Sequence, residues 1–191
     1  TYFVSNMKLR SAQDSVNLKD IDFVDFSASN TSLKGAKNGF SITIPKVKAG
    51  SYSTLEFGVG VHKALNATTP ADYPSTSPLA NTAYYWVPWT SYFFSKMEGK
   101  FDSTATGNFE LGFMFHTGLD QNYKVIQLNR PINISSESTN TLHISLDVKK
   151  LFVLDGNPID LNLINKAHWP MNKEVIISII NNYGTAFKLD N

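Results

Sequence analysis

Short segments in which apolar and polar residues alternate recur along the chain and constrain its fold more than any other feature. Strict alternation runs through residues 55–61, 111–115 and 142–148, and weaker β-prone segments lie at 2–9, 21–26, 40–44 and 123–128. Successive side chains of a strand point to opposite faces of a sheet, so this pattern predicts half-buried strands. Gly, Asn, Ser and Pro residues separate the segments. The sequence therefore predicts an all-β fold, an antiparallel β-sandwich with long loops.

Near the C-terminus the periodicity changes from that of a strand to that of a helix. Asn172 is a suitable N-cap and Gly184 a suitable stop, and the residues between them place one apolar face at helical spacing: Val175, Ile176, Ile179, Ile180 and Tyr183. We expect a short C-terminal helix, with a strand as the alternative because several of these residues are β-branched. A helical turn is predicted at 147–152 and a type I′ hairpin turn at 155–157.

The organisation of the chain predicts one domain spanning residues 1–191. No internal repeat and no shift in composition divides the 191 residues. The chain opens directly on a strand-like segment, without Met or a leader, so we expect a processed or trimmed chain, from which an export signal or a lipid anchor could have been removed. No apolar run approaches the length of a membrane-spanning helix.

Charge and cysteine content exclude several classes of function. The net charge is +1, from 17 basic and 16 acidic residues, and no Lys/Arg run exceeds two residues. We therefore expect no nucleic-acid partner, since clustered positive charge supplies most of the affinity in such complexes. The chain has no cysteine, which excludes disulfides, zinc–thiolate sites, iron–sulfur clusters and thiol catalysis.

Motifs of the common enzyme classes are absent from the sequence. It contains no GxSxG, P-loop, GxGxxG, HExxH or EF-hand pattern, so we expect a protein that is not an enzyme. Among the histidines, His62, His116 and His168 lie at predicted strand ends or in loops, where binding sites concentrate. Capping and packing roles remain the alternative for these three, and His143 is predicted on a solvent-facing strand surface.

The segment YYWVPWTSYFF at 84–94 contains seven aromatic residues and follows a long Pro-containing loop at 62–83. In strand geometry Tyr92 and Phe94 face one way and Phe93 the other, and we expect these three rings to belong to the core. The other rings precede or flank Val87-Pro88, where regular pairing should fail. Core packing and a ligand platform both remain open for them: Tyr84, Tyr85, Trp86 and Trp89.

Five segments, in order along the chain, resemble the MbnP-like domain family. YFVSNMKL resembles the family's YYLSNIKL opening, and SYSTLEFGVGV resembles its Y..l.F.iGv strand. YYWVPWTSYFFSKMEGKF resembles the signature MYW.W.sGYi..klEG. FMFHTG resembles the strand end f.fHlG, and IISIINNYGTAF resembles the C-terminal iadNy..mF helix. Together the matches cover nearly the whole chain. The family usually has a strand before the YYLSNIKL segment, so the resemblance implies that an N-terminal strand has been trimmed from this chain.

The resemblance implies an exported β-sandwich and makes copper a candidate ligand. The family is named for periplasmic proteins that bind methanobactin, and it is similar to surface copper proteins in which histidines and a tryptophan oxidised to kynurenine bind copper. Many members are exported proteins or lipoproteins of Bacteroidota. By this resemblance Trp86 and Trp89 match the WxW of the signature, His116 matches the His of fHlG, and His168 lies where many members have a His.

Two departures from the family pattern affect the expected site. Pro88 occupies the middle of the WxW, and the Gly of sGY is lost in Thr90-Ser91-Tyr92. No His lies within three residues of either Trp. A Trp–His copper pair from neighbouring residues is therefore excluded, and any site must be assembled from distant segments.

The leading hypothesis is an exported, non-catalytic binding protein of the periplasm, the outer membrane or the cell surface. Its ligand is copper or a small copper-bearing compound. The expected metal ligands are His116, His168 and His62, with Met171 or Met114 as a soft third donor and the rings of Tyr84, Tyr85, Trp86 and Trp89 around the ligand. The alternative is a metal-free module that binds a glycan or a peptide. A glycosidase would need two facing carboxylates, and no motif identifies such a pair.

Overall fold

The structure, a computed structural model, describes residues 1–190. The helices are α1 (Leu33–Ala36), α2 (Lys63–Asn66), α3 (Val148–Leu151) and α4 (Lys173–Ala186). The strands are β1 (Tyr2–Arg10), β2 (Ser15–Val24), β3 (Gly50–Val59), β4 (Tyr85–Trp86), β5 (Ser91–Phe101), β6 (Leu111–Gly118), β7 (Lys124–Ile134), β8 (Ile144–Leu146), β9 (Val153–Leu154), β10 (Asn157–Pro158), β11 (Lys166–Ala167) and β12 (Phe187–Leu189).

Eight strands form one hydrogen-bonded network in the order β11-β6-β5-β1-β3-β7, with β2 added to β1 and β4 added to β5. All pairings in it are antiparallel except β11 with β6. Strand β1 joins two halves, because Tyr2 pairs with Ser95 of β5 while Val4 to Arg10 pair with β3. The predicted all-β, antiparallel sandwich is confirmed.

Two apolar cores lie on opposite faces of β1. Val4 belongs to the main core, which contains side chains of both halves of the sheet and the apolar face of α4. The neighbouring Phe3 belongs to a second core with Tyr92 and Phe94 of the aromatic segment. Because adjacent residues of a strand face opposite sides, one central strand anchors both cores.

The long loop at 62–83 contains several short helical elements. Helix α2 is followed by short 3-10 turns at Pro70–Asp72, Pro78–Ala80 and Thr82–Tyr84. Pro70 and Pro78 each begin a turn, where a missing N–H costs nothing. Leu79 is fully buried in the second core. The loop therefore covers this core and fixes where the aromatic segment begins.

Two strand predictions were wrong in whole or in part. Residues 40–44 form no strand, although Ile42 and Ile44 pack against the main core. Of the segment 142–148, only Ile144–Leu146 is a strand, and Val148 begins α3. An alternating pattern indicates only that one side of a segment is buried. A loop that lies against the core shows the same pattern without pairing with another strand.

The predictions for the C-terminal region hold in their main features. Helix α3 begins after Asp147, whose side chain accepts a hydrogen bond from the Lys149 N–H. The β9–β10 hairpin turns at Asp155 and Gly156, both with positive φ, as in a type I′ turn. Helix α4 confirms the C-terminal helix but continues past Gly184, and Asn172 donates to the Lys166 carbonyl instead of capping it. No helix within residues 1–190 is long and apolar enough to cross a membrane.

A half-buried ion cluster joins the three strands β1, β3 and β7. Glu56 accepts hydrogen bonds from Arg10 and Gln127 and forms an ion pair with Lys8 at 2.8 Å. Burial alone would raise the pKa of Glu56, but the hydrogen bonds from Lys8, Gln127 and Arg10 outweigh it and lower this pKa to about 2. The ionised carboxylate therefore stabilises the pairing of three strands.

The low pKa of Glu56 predicts a specific acid dependence of stability. A carboxylate whose pKa is lower in the folded state stabilises the fold above its unfolded pKa, and this stabilisation is lost as pH falls toward the folded value. We expect Glu56→Gln to lower the free energy of unfolding at pH 7 by up to about 3 kcal/mol. The difference from wild type should shrink between pH 4.5 and about 2, measured by urea unfolding. Glu137→Gln, in an exposed loop, is the control; an equal effect there would contradict the prediction.

Adjacent isoleucines of α4 provide a matched test of the helix. Ile176 is fully buried in the main core, whereas the side chain of Ile177 is 44% exposed. We expect Ile176→Ala to lower the free energy of unfolding by about 2–5 kcal/mol, because it leaves a cavity. Ile177→Ala should change it by less than about 1 kcal/mol. Equal losses in thermal or urea unfolding would show that the helix does not present this face to the core.

Candidate functional site

A cleft of about 390 Å³ lies between the aromatic segment and strand β6. Its lining contains the ring side chains of four neighbouring aromatic residues, two histidines, and a few aliphatic or polar groups: Tyr85, Trp86, Trp89, Phe93, His116, His168, Thr82, Ala83, Lys96 and Met114. These residues come from the end of the long loop, from the β4–β5 hairpin, from β6 and from the segment after β11. The site is thus assembled from distant parts of the chain.

The first wall of the cleft is the β4–β5 hairpin. Tyr85 pairs with Tyr92 and Trp86 with Ser91, so the aromatic segment folds back on itself. A 3-10 turn at Val87–Trp89 connects the two strands, and Thr90 ends it in the left-handed conformation with a φ of 47°. Pro88 lies in the first turn of this 3-10 helix, where its ring is compatible with the backbone.

Phe93 forms the floor of the cleft. The predicted alternation is confirmed, since Tyr92 and Phe94 lie in the second core and Phe93 faces the opposite side. The ring centroid of Phe93 is 5.7 Å from that of Trp86, 5.5 Å from that of Trp89 and 4.9 Å from that of His116. Phe93 is buried, as expected of a core residue, but the rings that bury it are those of the cleft.

A bulge in β5 determines which polar side chains reach the cleft. The register with β6 shifts between Phe93, opposite Gly118, and Ser95, opposite Thr117. After this shift Lys96 lies opposite His116 and Glu98 opposite Met114. Directly opposed residues share a face, so the bulge places Lys96 on the same face as Phe93. Regular alternation would have assigned these two residues to different faces.

Trp89 is held in place from two sides. Its indole Nε1–H donates a hydrogen bond of 2.9 Å to the carbonyl oxygen of Trp169, which precedes the cis Pro170. Its ring lies against Gly118, where a Cβ atom would come within 2.8 Å of both the Trp89 ring and the Tyr92 carbonyl oxygen. The ring centroid of Trp89 is 6.1 Å from that of His168. Glycine at 118 therefore permits the approach of Trp89 to β6.

A buried polar network ties the hairpin to the beginning of the long loop. Asn66 Oδ1 accepts hydrogen bonds from the Ser91 hydroxyl and the Tyr92 N–H, and its Nδ2 donates to Asp120. The Ser91 hydroxyl in turn accepts from the Leu119 N–H. Each buried polar side chain here has a partner, so the network resists displacement of the hairpin.

His116 combines burial with a short hydrogen bond to a carboxylate. Its Nε2 lies 2.5 Å from Glu98 Oε1. Burial lowers the pKa of His116 more than the neighbouring Glu98 raises it. Burial would raise the pKa of Glu98, but the bond to His116 and the charge of Lys96 lower it. The neutral imidazole therefore donates Nε2–H to an ionised carboxylate, and Nδ1 retains a lone pair.

In His168 the other ring nitrogen, Nδ1, lies beside a hydrogen-bond acceptor. Its Nδ1 lies 3.3 Å from the carbonyl oxygen of Trp169. In the tautomer that donates Nδ1–H to this carbonyl, Nε2 retains its lone pair. Both histidines line the same cleft, within one aromatic environment.

The structure brings together most of the predicted site residues and leaves three outside. His116, His168, Trp86, Trp89 and Tyr85 line the cleft, and so does Met114. His62 instead lies beside Asp20, with Nε2 3.2 Å from Oδ1, and Tyr84 packs on Phe3 and Phe23 in the second core. Met171 is exposed and meets His168 through a backbone hydrogen bond.

Sequence reasoning missed four contributors to the cleft: Thr82, Ala83, Lys96 and, as a partner of His116, Glu98. The sequence does not reveal which face of the sheet Lys96 and Glu98 occupy, because of the β5 bulge. Regular alternation counted from Phe93 would place both residues on the face opposite to Phe93. Thr82 and Ala83 lie in a 3-10 turn, which has no such pattern. The expectation that β6 ends at His116 was also wrong, since the strand continues to Gly118.

The cleft contains three side chains with imidazole nitrogen or thioether sulfur donor atoms: His116, His168 and Met114. Within residues 1–190 no group of three or more His, Asp or Glu side chains is arranged to hold a metal. Hard cations require several oxygen ligands, and structural zinc requires four ligands of its own. Two imidazoles with a nearby thioether are instead donors that monovalent copper accepts.

Comparison with known proteins supports one family. The MbnP family model matches residues 1–174 of this chain. No curated protein and no solved structure matches the chain significantly. Domains of this family are binding modules of exported proteins, and the family is not a known enzyme family. With the family model matching nearly its whole length, this chain belongs to the MbnP family.

Proposed function

We propose that this protein is an exported, non-catalytic binding protein that holds Cu(I), alone or within a small copper-bearing compound. His116 and His168 would supply the ligands, and the cleft would enclose them. The observation that supports this most directly is that two imidazoles from distant segments line one aromatic cleft, each with one ring nitrogen beside a hydrogen-bond acceptor. This proposal requires that the protein is located in the periplasm, at the outer membrane or on the cell surface.

The surroundings of the two histidines favour a soft, weakly hydrated ion. Met114 lies on the same face as His116 and can add a thioether, which prefers Cu(I) to harder ions. The rings of Trp86, Trp89 and Phe93 cover the site and reduce the access of water. In the proposed function the copper ion would only be bound by its ligands and would catalyse no reaction. The function therefore needs no general acid, base or nucleophile.

Glu98 acts on His116 from outside the ligand set. The hydrogen bond of 2.5 Å fixes the ring orientation and the tautomer, so that Nδ1 is the nitrogen with a lone pair. A carboxylate bound to the other nitrogen of a ligating imidazole also makes that imidazole a stronger donor. Glu98 is therefore proposed as a positioning residue for the His116 ligand.

A metal-free glycan- or peptide-binding module is the alternative function. It is favoured by the exposure of Trp86, whose side chain is 42% accessible beside the ring of Tyr85 in the same cleft. Exposed aromatic rings of this kind stack on the apolar faces of sugars and on peptide side chains. In this reading the histidines contribute hydrogen bonds and no metal ligation.

The copper proposal predicts that affinity depends on the two cleft histidines. In a competition titration of metal-free protein against a chromophoric Cu(I) chelator, wild type should bind one Cu(I) with a submicromolar dissociation constant. We expect His116→Ala and His168→Ala each to weaken binding by more than about tenfold, because each removes a direct ligand. His143→Ala, at an exposed position, is the control and should bind as wild type.

The outcomes of this titration separate the two functions. Loss of affinity in both cleft variants but not in His143→Ala supports the copper proposal. Weak binding by wild type, or equal binding by all variants, excludes it. In that case a response of Trp fluorescence to oligosaccharides that disappears in Trp86→Ala would establish the glycan module.

The positioning role of Glu98 predicts a graded effect of two substitutions. Glu98→Ala should weaken Cu(I) binding by about 10–100-fold, and Glu98→Gln by less, because its amide oxygen still accepts the Nε2–H hydrogen bond. Nitrogen NMR of the His116 imidazole in the metal-free protein should show Nε2–H in wild type and a mixture of tautomers in Glu98→Ala. Unchanged tautomers together with unchanged affinity would contradict this role.

A further inference from the structure

Lys96 is a charged group inside the cleft that the copper proposal does not use. Its side chain is only 22% exposed and lies opposite His116. The ammonium nitrogen is 5.3 Å from the centroid of the Phe93 ring and 5.5 Å from that of the Tyr84 ring. Cation–π contacts therefore stabilise the ammonium, but they do not satisfy its three N–H donors.

Lys96 has one anionic partner in the protein. Its Nζ forms an ion pair with Glu98 Oε1 at 3.6 Å, which is longer than an ordinary direct hydrogen bond. That oxygen is engaged by His116 at 2.5 Å. The Glu98 side chain is also 49% exposed and does not line the cleft. An ammonium has three N–H donors, so this partly buried group retains capacity for an additional acceptor beside its ion pair with Glu98.

The rest of the cleft indicates what kind of molecule would carry that acceptor. A volume of about 390 Å³ suits a small organic molecule, and the rings of Tyr85, Trp86 and Trp89 suit a flat apolar group. The Thr82 hydroxyl lies in the same lining and can donate one more hydrogen bond. One lysine and one hydroxyl, with no arginine in the lining, suit a single negative charge better than a dianion.

We propose that this cleft contains an anion subsite at Lys96 that binds the carboxylate of a flat, apolar organic acid. The carboxylate pairs with the Lys96 ammonium, and the apolar part of the ligand lies against the rings of Trp86 and Tyr85. The subsite uses neither imidazole lone pair, so it does not rest on the binding of copper. The proposal thus gives the cleft an organic acid as a ligand, which metal binding alone does not require.

The test compares an acid with its neutral isostere on metal-free wild-type protein. The probes are indole-3-acetate and indole-3-acetamide, which share shape and ring and differ in charge. Binding is followed by ¹H–¹⁵N NMR, with the indole N–H signals of Trp86 and Trp89 as reporters. We expect the acid to bind at least roughly tenfold more tightly than the amide, as a charge-assisted hydrogen bond would provide. The preference should decrease as salt is added.

Two lysine variants test whether the preference for the acid over the amide depends on Lys96. Lys96→Met keeps an unbranched apolar side chain over the rings and removes the charge, so it should bind the acid and the amide equally. Lys100→Met, an exposed lysine of the same strand, should keep the wild-type preference. If Lys96→Met does not fold, the acid-to-amide ratio of wild type and its salt dependence decide the question.

Three results would overturn the anion subsite: equal binding of acid and amide by wild type, binding of neither, or a preference that persists in Lys96→Met. These results leave the copper proposal untouched. Conversely, the copper proposal is decided by Cu(I) titration of the histidine variants, and that measurement does not use the acid-to-amide ratio. Failure of one proposal is thereby distinguishable from failure of the other.

Discussion

The bulge between Phe93 and Ser95 is the constraint on which the cleft depends. One extra residue in β5 shifts the pairing with β6, so that Lys96 faces His116 and Glu98 faces Met114. Without it, the strand that buries Phe93 against the tryptophans would direct these polar residues to the opposite face. The hydrogen bond from His116 to Glu98 and the placement of the Lys96 ammonium both follow from this local change of register.

Around the bulge, packing and polar contacts fix the rings of the cleft. Asn66 links the start of the long loop to β5, and Gly118 lets the Trp89 ring lie directly on β6. The indole of Trp89 is then bonded to the backbone of the segment that carries His168. The candidate site combines strand and loop residues and is held by the sheet, which would limit the reorganisation needed to accept a ligand.

Much of the fold follows from local patterns in the sequence. Alternation locates β3 and β6 because one face of each contacts a core, and the helical spacing of apolar residues locates α4. The same reasoning fails at 40–44, where a loop lies on the core without a pairing partner. For the site, family motifs indicated Trp86, Trp89, His116 and His168, which the fold brings to one cleft. Their role in binding remains a prediction, and His62 and Met171 lie elsewhere.

The sequence by itself determines the all-β class, the C-terminal helix, the division of the aromatic segment between two faces and the membership of the MbnP family. These properties depend on the residue types and on spacings along the chain. Tertiary structure alone decides that Lys96 lines the cleft, that Glu98 pairs with His116, and that His62 lies elsewhere. Such proximity depends on strand register and on the packing of segments distant in sequence, and neither leaves a periodic signal in the residues concerned.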